Sequence, residues 1–300
     1  MIKTRPTAKT NERSSPTLLK APDDRMPQRN NQHLEMFLFT TDVAFALRAE
    51  AAGIDAVVVD WEHKNKSHRQ NGYDTQVNID TPRDVAWLAE SLSIPVLVRV
   101  EHDPSRLADE IECALDHGAR AIMLPMATTP GQVQRFVDIV AGRVRTVIQI
   151  ETQSLVDQCR ELNSIGWDAA YIGLNDLMIS RGGTWIWESI ADGTVERIFE
   201  LLPNRAVGFG GITIVGGGMP MPFVDLLREM ARLGCRMSFL RRSFIRDIAN
   251  RDMVSEIALV RAAWHAANQR SPQAEFADRR QLGQVLNGLC AALKSDTVRI

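Results

Sequence analysis

No CxxC spacing occurs in the 300 residues. Cys113, Cys159, Cys235 and Cys290 stand far apart, so neither a cysteine zinc site nor a disulfide framework is indicated. They read as reduced, packed thiols of a cytoplasmic protein. No charge of one sign dominates either: lysine plus arginine number 35 against 37 acidic residues, which leaves no electrostatic footprint for nucleic acid or an anionic membrane surface. No apolar run approaches the roughly 18 residues a membrane span requires. The N-terminus lacks the apolar stretch of a secretory signal, which disfavours one.

Hydrophobic residues make up 45% of the chain, enough for one large core or two modest domains. Residues 1–33 are rich in Pro, Ser, Thr, Asn and charge and read as a mobile tail. From about residue 36, short β-branched runs alternate with helical periodicity. The runs are MFLFT (36–40), AVVVD (56–60), VLVRV (96–100), AIMLP (121–125), TVIQIE (146–151), AAYIG (169–173), VGFGG (207–211) and RMSFL (236–240). Near-continuous apolar strands separated by helices mean parallel strands covered by helices.

Thr81-Pro82, Asp103-Pro104 and Thr129-Pro130 each set a capping side chain before a proline suited to the first helical position. Val133, Phe136, Val137 and Val140 then share one helical face, as do Phe223, Leu226, Leu227, Met230 and Leu233. Eight βα units favour an α/β fold closed into a single (β/α)₈ TIM barrel over an open doubly wound sheet, and no GxGxxG follows an early strand. The expected organisation is a disordered N-terminal tail (1–33), a barrel (34–270) closed by a helix over about 244–268, and a C-terminal helical extension (271–300). That extension carries an extra helix near 275–294, placed either on the barrel's outside or on a neighbouring subunit.

Polar residues that end different strands of a parallel barrel converge on one face. Applied here, that filter collects Asp60 with Trp61-Glu62-His63, Arg99, Gln149 with Glu151, and Gly173 with Asn175 and Asp176. Glu151 and Asp176 suit Mg²⁺ or Mn²⁺ or another divalent ion, with water and substrate oxygens completing the shell. They equally suit a helix start and a loop cap. Arg99 is costly inside a β-branched strand unless an anion meets it: an ion pair with Glu62 or Glu101, or substrate charge that develops on an enolate oxygen. His63 is a competent base if Asp60 fixes its tautomer, and otherwise a solvated loop histidine. The stretch GFGGITIVGGG (208–218) is placed to bind phosphate through backbone N–H groups or to make tight turns. Arg241 and Arg242 follow the eighth strand, where they can meet a second acid group of a substrate or hold the closing helix.

AGIDAVVVDWEH resembles the D-x-E-H segment of the HpcH/HpaI aldolase and citrate lyase family, and VLVRV, GARAIMLPM, QIET and YIGLNDL follow in that family's order. The resemblance implies a metal-dependent barrel with Glu151 and Asp176 as ligands and Arg99 against a pyruvate moiety. It also implies a His63–Asp60 pair, Gln149 near the bound 2-oxo acid, and the backbone at Gly173 and Asn175 against its carboxylate. The reaction implied is reversible aldol cleavage of a 2-oxo/4-hydroxy acid through a pyruvate-type enolate. Relatives on the same barrel suggest one alternative, a citrate lyase β-like or citrate-forming reaction; a rival from another class is a barrel that binds a 2-oxo acid or phosphate without turnover. Assembly as a homo-oligomer, a trimer or hexamer, is implied as well. Two departures bear on substrate choice: only about two dozen residues separate Met126 from Gln149, where the aldolases carry a longer insertion, and SFLRRSF is more basic than the family's ending.

Overall fold

The computed structural model describes residues 33–62 and 80–297, with side chains as far as 292. Eight parallel strands run in the order β7-β6-β5-β4-β3-β2-β1-β8. They are β1 (Glu35–Phe39), β2 (Ala56–Asp60), β3 (Val96–Arg99), β4 (Ala121–Leu124), β5 (Arg145–Ile150), β6 (Ala169–Ile172), β7 (Ala206–Gly208) and β8 (Met237–Phe239). The ring closes between β7 and β8, where Arg236 N–H donates to Val207 O at 2.9 Å and Ile212 pairs with Leu240. A Cβ on Gly208 would fall 1.9 Å from Met237 O, so only glycine lets these two strands approach. This is the TIM barrel the strand count calls for.

Alternation along each strand sorts the core into two layers. Val57, Val59, Val96, Val98, Ile148 and Ile150 face outward into the cluster shared with the helices. Phe37, Val58, Leu97, Met123, Val147, Tyr171 and Phe239 fill the barrel's interior. Interior positions mix large rings with Ala56, Ala121 and Ala169, so the space is packed rather than open.

Among the described residues the outer helices are α1 (Val43–Ala51), α2 (Pro82–Ser91), α3 (Leu107–Asp116), α4 (Pro130–Val140), α5 (Gln153–Asp157) and α6 (Leu174–Ser180). They continue with α7 (Glu188–Ala191), α8 (Thr194–Leu201), α9 (Phe223–Arg232), α10 (Arg242–Ile248), α11 (Met253–Asn268) and α12 (Pro272–Thr297). Thr81 and Thr129 form capping boxes with Asp84 and Gln132. Asp103-Pro104 differs: it opens a turn in which Asp103 Oδ1 accepts from Ser105 N–H, and α3 begins three residues further on. The expected closing helix is two helices. It breaks after Ile248 because Asp252 caps a new start, accepting from Ser255 N–H at 2.9 Å. The terminal α12 lies on the barrel's outside against α9, burying Leu282 and Leu286 and pairing Asp278 with Arg228 at 3.3 Å.

Cys159 and Cys235 are buried, and burial pushes both thiols up to about 12. At pH 8 only about 10⁻⁴ of either is thiolate, the form that alkylates. Iodoacetamide is expected to spare both in the native protein and to reach them on unfolding. Native labelling of either one, followed by peptide mass mapping, would show that this part of the core opens.

Candidate active site

Strand parity decides which polar groups meet. Asp60, Arg99, Gln149 and Tyr171 each stand two residues after an interior core residue, Val58, Leu97, Val147 and Ala169, and so face the barrel axis at its C-terminal end. Asp60 and Arg99 are register partners on β2 and β3. The pairing is bidentate: Arg99 Nε donates to Asp60 Oδ1 at 2.9 Å and Nη2 to Oδ2 at 2.8 Å. Nη1 reaches Glu62 Oε2 and Gln149 Oε1, both at 3.3 Å. Glu62 was one anticipated ion-pair partner; the nearer one is Asp60. The other candidate, Glu101, has its backbone N–H bound to Glu110. Burial by itself lowers the Arg99 pKa, but the carboxylates of Asp60 and Glu62 outweigh it and the guanidinium stays charged.

Gln149 passes the chain of contacts on, donating from Nε2 to Glu151 Oε2 at 3.1 Å. Glu151 Oε1 accepts from Met126 N–H at 2.8 Å. A Cβ on Gly173 would lie 2.3 Å from Glu151 Oε2, so glycine there is what leaves the carboxylate its place. Glu151 is almost wholly buried, and its pKa is raised well above the carboxylate range by that burial and by repulsion from Asp176 and Glu62, with Arg99 and the Met126 N–H opposing. Asp176 sits half-buried in the first turn of α6.

Asp60, Arg99, Gln149, Glu151, Tyr171, Gly173 and Asp176, with Asn175, Arg241 and Arg242, line one cavity of about 660 Å³. Its volume suits a small acid with room to spare. A second hollow, about 460 Å³, lies at the other end of the barrel beside Arg145 and Asp168. There Arg145 is matched bidentately by Glu35 and Asp168 is held by Thr146, so nothing in it is poised for chemistry. His63 lies outside the described residues.

A sequence profile described as HpcH/HpaI aldolase/citrate lyase matches residues 33–190, which include every polar group of the cavity's β2 to β6 wall. The chain belongs to that family. Two solved structures share the family's barrel at low identity. One, described as the citrate synthase SbnG, is 20% identical over 70% of this chain and 86% of its own, with a TM-score of 0.52. RipC from Yersinia pestis is 12% identical over 77% of this chain and 96% of its own, also at 0.52. At such identities the likeness is one of fold. No curated protein sequence matches the chain.

The family's characteristic segments bring Glu151 and Asp176 to the cavity, but among the described residues no cluster of three or more His, Cys, Asp or Glu has the placement of a complete metal site. Two hard oxygen donors that repel one another are nonetheless a donor set that Mg²⁺ or Mn²⁺ accepts, since these ions keep several water or substrate oxygens in their shell. The residues present fit such an ion. Four further groups escaped the sequence reading. Phe39 ends β1 beneath the Arg99 guanidinium, 5.2 Å from its ring centre. Asp80 accepts from Asp60 N–H at 2.9 Å. Met126 holds Glu151 from a left-handed backbone conformation (φ 54°), and Trp187 walls the cavity near Arg241. Phe39 was accessible to the strand-end filter had apolar residues been admitted. Asp80 and Trp187 follow no strand, and a strained Met126 has no sequence signal.

Proposed function

We propose that the protein is a divalent-metal-dependent carbon–carbon lyase that cleaves a 2-oxo/4-hydroxy acid through a pyruvate-type enolate. The observation that carries this reading is the run Asp60–Arg99–Gln149–Glu151, which puts a fixed guanidinium and a carboxylate side by side at the floor of one cavity. Glu151 and Asp176 would hold the ion; when bound it supplies positive charge to the carboxylate and carbonyl oxygens of a 2-oxo acid. Asp60 fixes Arg99 so that its Nη1 edge, flanked by Gln149 and Glu62, meets the oxygen on which enolate charge develops, and preorganised charge of this kind lowers the cost of forming that anion. Gln149 orients the same oxygen, and the backbone at Gly173 and Asn175 receives the acid's carboxylate. A base assisted by His63 takes the 4-hydroxyl proton, the C3–C4 bond breaks, an aldehyde leaves, and the enolate is protonated at C3 to give pyruvate.

Oxaloacetate tests this without knowledge of the aldehyde, because loss of its C4 carboxylate as CO₂ leaves the same enolate. After chelation, pyruvate release is expected to be negligible and to return at least tenfold on adding Mg²⁺ or Mn²⁺. Silence under full metal loading would reject the enolate site and favour a citrate lyase β-like or citrate-forming reaction on a different acid.

A further inference from the structure

Oxygens hold the edges of the Arg99 guanidinium, and one of its faces lies over a ring. Phe39, the last residue of β1, has its ring centre 5.2 Å from the guanidinium carbon. Strand register explains the fit. Phe39 stands opposite Val58, one pleat below the Asp60–Arg99 pair, and shares the parity of interior Phe37. Arg99 therefore reaches from β3 past Asp60 on β2 and comes to rest over β1. Arg48 and Arg83 also lie over rings, but both are exposed, where such a contact is worth least. Arg99 is buried, which puts its contact at the strong end of the range.

The ring is itself held in place. Phe39 packs on Phe239 of β8 at 5.0 Å, and Phe239 meets Tyr171 of β6 edge-on at 4.3 Å. The Tyr171 hydroxyl donates to Gly210 O at 2.7 Å, which ties the far end of this aromatic row to the backbone after β7. Side chains from three strands thus fix the plane on which Arg99 lies. The ring differs in kind from the other neighbours. Asp60 and Glu62 neutralise the cation as they hold it, and a third carboxylate would offset still more of the charge an enolate needs. An aromatic face attracts a cation through its quadrupole and carries no net charge. It also keeps water off that face, where water would screen the guanidinium.

We propose that Phe39 is a positioning residue for the cleavage: its ring sets the tilt of the Arg99 guanidinium that aims Nη1 at the oxygen where enolate charge develops. Asp60 fixes where the guanidinium sits, through two parallel bonds along one edge. Those bonds still let the plane rock about that edge, and the ring removes this freedom. Phe39 acts through Arg99, so its effect grows as the oxyanion forms and belongs to kcat more than to binding.

This role rests on the enolate reading above, and the test separates the two. Phenylalanine carrying one or three ring fluorines, placed at position 39 alone in the full chain, keeps the shape of the side chain while draining the negative face of the ring. With Mg²⁺ and oxaloacetate, kcat is expected to fall stepwise along this series, by roughly 3- to 30-fold in total, the worth of one desolvated contact of this kind. KM should stay nearly level. Phe39→Leu, apolar but without a π face, should lose at least as much as the triply fluorinated protein. A ring that serves only as packing would leave the fluorinated series flat. NMR of the metal-free protein reads the contact without turnover: the Phe39 ring current should displace the Arg99 side-chain N–H resonances upfield, and Phe39→Leu should return them. Metal-dependent pyruvate release that is equal across the fluorinated series refutes the positioning role and leaves the enolate site standing. Arg99 resonances that Phe39→Leu does not move refute it as well. If the metal-loaded wild type releases no pyruvate, the enolate reading fails and the role of Phe39 fails with it.

Discussion

Replacing Asp176 with alanine is expected to lower metal-dependent pyruvate release by roughly 100-fold or more, since even partners one layer beyond a metal typically cost 10- to 100-fold. The fold should not suffer. Asp176 is half-buried and raises the pKa of Glu151 by repulsion, so its removal relieves an unfavourable contact in the metal-free protein. The unfolding midpoint without metal is therefore expected to stay level or rise. Saturating Mg²⁺ gives the opposite contrast. An ion at a hundred times its dissociation constant stabilises the wild type by about 2.7 kcal/mol and stabilises a variant that cannot hold it by nothing. Thermal unfolding with and without Mg²⁺ reads this independently of turnover. Equal metal-induced shifts in the two proteins would assign Asp176 to a loop cap and remove it from the site.

The barrel and much of its mouth were legible because both follow from local rules. Eight short apolar runs fix eight strands, and parallel direction sends every strand's C-terminal residue to the same rim. Parity sharpens that rim: in AVVVD, VLVR and RTVIQI the polar residue stands two places after an interior valine or leucine, which a sequence reveals once the strand is found. What escaped depends on register and on backbone detail. That Arg99 meets Asp60 before Glu62 is decided by which residues of β2 and β3 stand opposite one another, a non-local fact. The break between α10 and α11 turns on Asp252 capping Ser255 within a stretch whose apolar periodicity hardly falters. Gly211 lay in a stretch that read as a phosphate loop or tight turns, and Gly173 had a reading only through its backbone. Their reason is the close approach of Glu151 and of Arg241, which no spacing discloses.

Arg99 offers the second large effect, and its two roles can be pulled apart. Asp60 and Glu62 are 1% and 3% exposed, so Arg99→Ala takes from two buried carboxylates the guanidinium they share. Breaking a buried pair from one side costs about 3–5 kcal/mol, and the variant should unfold well below the wild type. Loss of activity in that protein would therefore say little about chemistry. Arg99→Lys is the informative change, because an ammonium keeps a charge near Asp60 while giving up the fork that fixes the Nη1 edge toward Gln149 and Glu62. Its unfolding midpoint should lie much closer to the wild type, while kcat for oxaloacetate should fall roughly 100- to 1,000-fold, the usual loss when one preorganised donor to a developing oxyanion is removed. Binding of pyruvate should change far less than kcat, since the interaction lost grows as the enolate forms. Should Arg99→Lys instead turn over at the wild-type rate, the guanidinium is a structural clamp on Asp60, and the enolate's charge must be met by another group in the cavity.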